Sequence, residues 1–194
     1  MKATEVLMDE HKGILAMLDT LEKACEAIQA REMSELRRIE QILEFFSVFA
    51  HACHFGKEED IFFPAVERLG EVLEGWPTSA LRHEHVLVQG VFSGMRAPLK
   101  EFEKNPLNSV FRFLPNAREY IGLLRDHIRE EEKVLFPMVD AHMSVGEQEH
   151  LSEEFGKIER SILNRCGKSL VRGEDGLPVL AASTGSPDTP EQGA

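Results

Sequence analysis

Residues 54–64 (HFGKEEDIFFP) and 127–137 (HIREEEKVLFP) are two copies of one pattern. Five of the eleven positions are identical (the His, two Glu, one Phe and the Pro), and three more are apolar in both. Upstream of each copy lies a second shared stretch, LMDEHKGILAM around His11 and LRHEHVLVQGV around His85. His11 precedes His54 by 43 residues and His85 precedes His127 by 42. An internal repeat obliges both halves to be the same supersecondary unit, which removes most other topologies. Here the unit is a helix with Glu-His near its start, followed by a helix with His-x-x-x-Glu near its end.

The spacing of apolar residues supplies the helices. Val6, Leu7, Ile14, Met17, Leu18, Leu21 and Ile28 recur at three- and four-residue steps between about residues 4 and 30. Ser34 reads as the N-cap of a second helix, buried along Leu36, Ile39, Ile42, Leu43, Phe46 and Phe49 and ended or kinked at Pro64. Residues 70–79 read as a connection. A third helix starts near Thr78 or Ser79, with Pro98 as its kink or stop. A fourth runs from about residue 108 to 143, with Pro115 as a kink and Pro137 near its end, and a fifth covers about 144–167. Short connections imply antiparallel neighbours. The expected fold is all-α: an up-down-up-down antiparallel four-helix bundle (core about 4–143) with an additional C-terminal helix, together forming one domain over 1–169. Residues 170–194, rich in Gly, Pro, Ser and Thr, read as a disordered, flexible tail.

Charge and composition exclude several functions. A formal net charge of −12 disfavours nucleic acid and anionic membranes, whose recognition needs clustered Lys and Arg. No run of about 18 apolar residues is present to span a bilayer, and charge appears too early for a signal peptide. Cys25, Cys53 and Cys166 form no CxxC pair and no even set, which argues against disulfides and thiolate zinc and makes the cytoplasm the expected compartment.

In an antiparallel hairpin the start of one helix lies level with the end of the next, so His11 can face His54 and His85 can face His127. At about 100° per residue, a step of four returns to within about 40° of the same face. Glu58 therefore shares the face of His54, and Glu131 that of His127. Glu59 and Glu132, about 140° away, are expected towards solvent or an adjacent helix edge. One HxxxE on a helix reads most simply as a solvated face; the set in duplicate and in register does not. Four imidazoles and two carboxylates inside a bundle are costly unless cations neutralise them. A donor set without thiolate suits Fe, Mn or Zn. Six donors suit two ions, each with two His, bridged by Glu58 and Glu131. Two iron ions with an oxo or hydroxo bridge are the first choice, Mn or Zn the alternative.

At these residues the sequence resembles the hemerythrin-like family of cation-binding four-helix domains with His-His-Glu motifs. The resemblance covers about residues 4–143. It implies that His11, His54, Glu58, His85, His127 and Glu131 are metal ligands. Oxygen-carrying hemerythrins have HxxxH on the third helix and HxxxxD on the fourth. Here Gln89 stands four residues after His85, and Glu131 four after His127. The pattern is more similar to the four-His, two-Glu site of di-iron proteins associated with iron–sulfur cluster repair and nitrosative stress. The usual Cys-bearing domain of those proteins has no counterpart before His11. A ferritin-like site would need Glu-x-x-His on two helices, and only Glu147/His150 offers it.

The expected function is binding or redox processing of a small diatomic or peroxide ligand (O2, NO or peroxide), in stress response or iron handling. A non-enzymatic oxygen, NO or iron binding or sensing module is the alternative, and a metal-free structural bundle a third reading. His51 is expected to be partly exposed, and His83, His142 and His150 to lie at the surface. Gln89 is either a hydrogen-bonding partner of bound ligand or polar filler. Tyr120, Cys53, Phe62, Phe63, Leu135 and Phe136 read as packing.

Overall fold

A computed structural model of the chain describes residues 1–30, 36–69, 78–101, 104–173 and 178–183. Helix α1 is Ala3–Gln29, α2 covers 36–67, α3 is Thr78–Lys100, α4 covers 106–142 and α5 is Val145–Cys166. Among the described residues no helix is long and apolar enough to cross a membrane. The expected Ser34 cap and the connection over 70–77 lie outside the described residues.

Cross-helix pairs fix the direction of each helix. On α1, His11 meets Glu132, Asp19 and Glu22 meet Arg125, and Gln29 meets Arg118. The α1 numbers rise as the α4 numbers fall, so the two run antiparallel. Arg82 pairs with Glu59 while the rings of His51 and Phe92 touch, so α2 and α3 are likewise antiparallel. The rings of His85 and Phe92 on α3 meet those of His127 and Tyr120 on α4, so that pair is antiparallel too and the bundle is up-down-up-down.

Proline does not stop α2. The helix passes through Pro64 to Glu67 because the ladder widens first: Glu58–Phe62 is a π-turn closed by the Phe63 N–H on the Glu58 carbonyl. Its repeat, Glu131–Leu135, is a π-turn closed by the Phe136 N–H on the Glu131 carbonyl, just before Pro137. A proline lacks an N–H and crowds the carbonyl one turn back, and a wider turn relieves both. Pro98 and Pro115 also lie within helices.

The apolar interior is split. One cluster, including Leu7, Phe62, Phe63, Leu81, Leu135, Phe136 and Phe155, fills one end of the bundle. Another, including Ile14, Phe46, Phe49, Phe55, Val88, Leu124 and Ile128, fills the other. Along α1 the order is Leu7, His11, Ile14, and along α3 Leu81, His85, Val88, so the conserved spacing of the repeat leaves one polar layer between two apolar ones.

Helix α5 begins at a capping box in which the Ser144 hydroxyl accepts from the Glu147 N–H and Glu147 accepts from the Ser144 N–H. Buried Gln148 accepts from the Thr4 hydroxyl at 3.1 Å, and Ile162 and Leu163 pack on Cys53. The helix ends at Gly167, whose φ of 61° belongs to the left-handed region. The chain then turns into an antiparallel pair, β1 (Lys168–Arg172) with β2 (Pro178–Ala182). Where the sequence reading expects flexible chain from residue 170, Leu170 and Leu180 therefore pack back against the helices; residues 184–194 lie outside the described residues. Replacing Gly167 by Ala forces a Cβ into left-handed backbone, with an expected loss of about 1 kcal/mol in urea unfolding.

Candidate metal centre

The polar layer is built from the two copies of the repeat. His11 on α1, His54 and Glu58 on α2, His85 on α3, and His127 and Glu131 on α4 converge there, each at most 1 % exposed. They fall into two groups, His11, His54, Glu58 and Glu131, and Glu58, His85, His127 and Glu131, in each of which the donor atoms lie within 4.8 Å of one another. All six residues singled out in the sequence are thus brought together.

The two carboxylates belong to both groups. Glu58 places Oε1 3.1 Å from His54 Nε2 and Oε2 3.2 Å from His85 Nε2. Glu131 places Oε2 3.3 Å from His11 Nε2 and Oε1 3.6 Å from His127 Nε2. All four oxygens are buried without a hydrogen bond. The imidazoles face each other in pairs, Nε2 to Nε2, at 3.1 Å for His11 and His54 and 2.9 Å for His85 and His127.

Each ring is held from behind by a carboxylate. His54 Nδ1 lies 2.9 Å from Glu10 and His127 Nδ1 2.8 Å from Glu84, both within one hairpin. His11 Nδ1 lies 3.0 Å from Glu132 and His85 Nδ1 2.7 Å from Glu59, both across hairpins. An Nδ1–H donating to a carboxylate leaves Nε2 as the donor atom that a neutral ring offers to a cation. Two imidazole nitrogens holding one ion at about 2.0–2.1 Å would lie roughly 3 Å apart. The donor set, the Nε2 separations and the orphaned oxygens all fit cations shared between the two carboxylates.

The carboxylates make two of the rings, His54 and His127, more basic. Burial opposes charge on His54, but Glu58 and Glu10 outweigh it and lift its pKa to about 10. Burial likewise opposes charge on His127, and Glu131 and Glu84 outweigh it and raise its pKa. Glu58 is held well below the usual carboxylate range: burial acts against this, and the rings of His54 and His85 prevail. Hydrogen bonds from His127 and His11 lower Glu84 and Glu132 respectively.

Glu10, Glu59, Glu84 and Glu132 are the functional residues that motif spacing missed. Their signal was present, since Glu-His and Glu-Glu occur in both copies, but a lone helical wheel shows only that Glu59 and Glu132 leave the face of the histidine. The adjacent-helix alternative is the one realised. Gln89 is exposed and away from the layer, as are His83, His142 and His150. His51 is half-buried and lies 3.0 Å from the Tyr120 hydroxyl, with its pKa pushed down by burial to about 3. Cys53, Phe62, Phe63, Leu135 and Phe136 are packing residues. Phe136 stacks on His11 with ring centroids 5.5 Å apart, and Phe55 stacks on His85 at 3.8 Å.

A cluster of this kind, duplicated on two hairpins, defines a class of helical cation-binding domain, and comparison with known proteins agrees. Residues 2–139 match the model of the hemerythrin HHE cation-binding domain, and the chain belongs to that family. Uncharacterised proteins of Mycobacterium bovis and Mycobacterium tuberculosis are each 25 % identical over 169 residues, 85 % of this chain and 64 % of theirs. An uncharacterised hemerythrin-like protein of Schizosaccharomyces pombe is 31 % identical over 117 residues, 59 % of this chain and 53 % of its own. The chain spans less than two thirds of the length of these curated relatives.

The raised pKa of His54 gives a signed pH test. A ring whose folded pKa lies above its unfolded value of about 6.5 stabilises the metal-free fold fully below that value. The contribution is lost as pH rises through about 10. Chelator-treated protein is therefore expected to show a lower urea midpoint at about pH 10 than at about pH 6; equal midpoints would contradict the assignment.

Proposed function

We propose that the polar layer holds two iron ions, one with His11 and His54, the other with His85 and His127, with Glu58 and Glu131 shared between them. The bound protein then binds or redox-processes a small diatomic or peroxide ligand. The observation carrying this reading is the set of four buried carboxylate oxygens that make no hydrogen bond while facing four oriented imidazole nitrogens. When bound, the ions supply an electron pair's worth of redox capacity and an open coordination position.

The protein's own contribution is placement and exclusion. Glu58 and Glu131 spread negative charge over both positions, so neither ion's change of charge stands unscreened in the apolar interior. Glu10, Glu59, Glu84 and Glu132 fix the ring tautomers and strengthen Nε2 as a donor. Phe62, Phe63 and Phe136 on one side and Phe55 on the other exclude bulk water. A surface groove of about 690 Å³ lies against residues such as Arg37, Arg96 and Lys168 and includes none of the six in its lining, so the burial of the layer favours a ligand of a few atoms. Iron handling and protection against oxidative or nitrosative stress are the roles such chemistry serves.

Protein purified without chelator is expected to contain about two irons per chain and to absorb in the near ultraviolet, with the spectrum altered by nitric oxide. His54→Ala or His127→Ala should remove at least one iron and most of that absorption; retention of both with an unchanged spectrum would refute the reading. Turnover of peroxide or nitric oxide indicates an enzyme, and reversible binding without turnover a carrier or sensor. Because Glu58 and Glu10 raise the pKa of His54 to about 10, cation binding at neutral pH should release a proton, seen as a buffer-dependent heat in calorimetry.

A further inference from the structure

Lys57 is 1 % exposed, an unusual place for an ammonium group. It lies between two carboxylates, Glu10 on α1 and Glu159 on α5, and is hydrogen-bonded to both. Glu10 uses one oxygen for Lys57 and the other for His54 Nδ1. A continuous polar chain therefore runs from the fifth helix to one imidazole of the layer: Glu159, Lys57, Glu10, His54. Lys57 is not part of the repeat, since the corresponding residue in the second copy is the exposed Glu130. Helix α5 also lies beyond the segment that matches the family.

The other cation position is braced differently. Glu59, behind His85, pairs with Arg82, which is 32 % exposed and also reaches Glu67 at 3.4 Å. That brace stays within α2 and α3, sits partly in water, and is open to screening by salt. The brace at Glu10 is buried, and removal of one member leaves a charge without a partner.

We infer that Lys57 is a positioning residue that fixes Glu10 against His54 and couples the docking of α5 to the His11/His54 cation position, leaving the His85/His127 position independent of that helix. The inference rests on the cation-pair reading above. Along this chain Lys57 holds the Glu10 carboxylate in the orientation that meets Nδ1 of His54. The duplicated sequence thus yields two unequal positions.

The test uses full-length protein and zinc alone, which is diamagnetic and redox-silent, with 15N-labelled histidine. Lys57→Met keeps an unbranched side chain of nearly the same length and removes the charge; Glu159→Gln alters the half-exposed end and leaves Lys57, Glu10 and His54 in place. Lys57→Met is expected to weaken one of two zinc equivalents by roughly 10–100-fold while the other stays within about threefold, and to move the His54 nitrogen signals but not those of His127. Glu159→Gln should reproduce the pattern at smaller size. Arg82→Met should move His85 and leave His54 in place. If Lys57→Met and Glu159→Gln weaken both equivalents alike, weaken neither, or leave the His54 signals unmoved, the coupling is refuted. A wild-type protein that takes up neither zinc nor iron would instead refute the cation-pair reading itself.

Discussion

Two carboxylates without hydrogen bonds, Glu58 and Glu131, sit between apolar layers at the centre of this bundle. Leaving such groups uncompensated costs several kcal/mol each, against a total stability of about 5–15 kcal/mol for a domain. Much of the surrounding architecture follows from that imbalance. Imidazoles gather around the carboxylates, further carboxylates orient the imidazoles, and basic side chains stand behind Glu10 and Glu59. The π-turns at Glu58 and Glu131 belong to the same arrangement, because each begins at the carboxylate and ends beside the aromatic residues that seal the layer.

Much of this was legible in the sequence because helical periodicity and an in-register repeat are one-dimensional signals. His11, His54, Glu58, His85, His127 and Glu131 follow from spacing and hairpin geometry, with no distance needed. The outer carboxylates were not legible in the same way. Whether Glu59 meets solvent or His85 depends on the lateral offset of α3 against α2, and no residue count carries that quantity. His51 and Tyr120 meet across 69 residues for the same reason. The β1–β2 pair was hidden by composition: Gly, Asp and Pro between residues 173 and 178 suit a turn as well as a flexible chain. Leu170 and Leu180 pack on the helices, and the strands that carry them pair.

Membership of the hemerythrin HHE family accounts for residues 2–139, which carry the whole polar layer. Helix α5 and the strand pair add a wall beyond that segment. Most of its polar contacts fall on the first hairpin, Gln148 on Thr4, Glu159 on Lys57 and Arg172 on Asp9 at 2.5 Å, with Ile162 and Leu163 packed on Cys53, while Gln148 also donates to Asp140 at the end of α4. An appended helix that meets the two halves of a duplicated bundle unequally breaks its two-fold likeness, and the polar layer inherits the difference.

The wiring of the carboxylates also bears on how the molecule comes into being. Glu58 serves its own hairpin through His54 and the other through His85, and Glu131 serves His127 and His11 in the same crossed fashion. Glu59 and Glu132 cross as well. Neither hairpin contains a complete set of partners, so one formed alone would strand charges that only its sibling can meet. Docking of the two halves therefore buries these groups in the same step that pairs them, and the centre acts as a latch joining two otherwise incomplete pieces of chain.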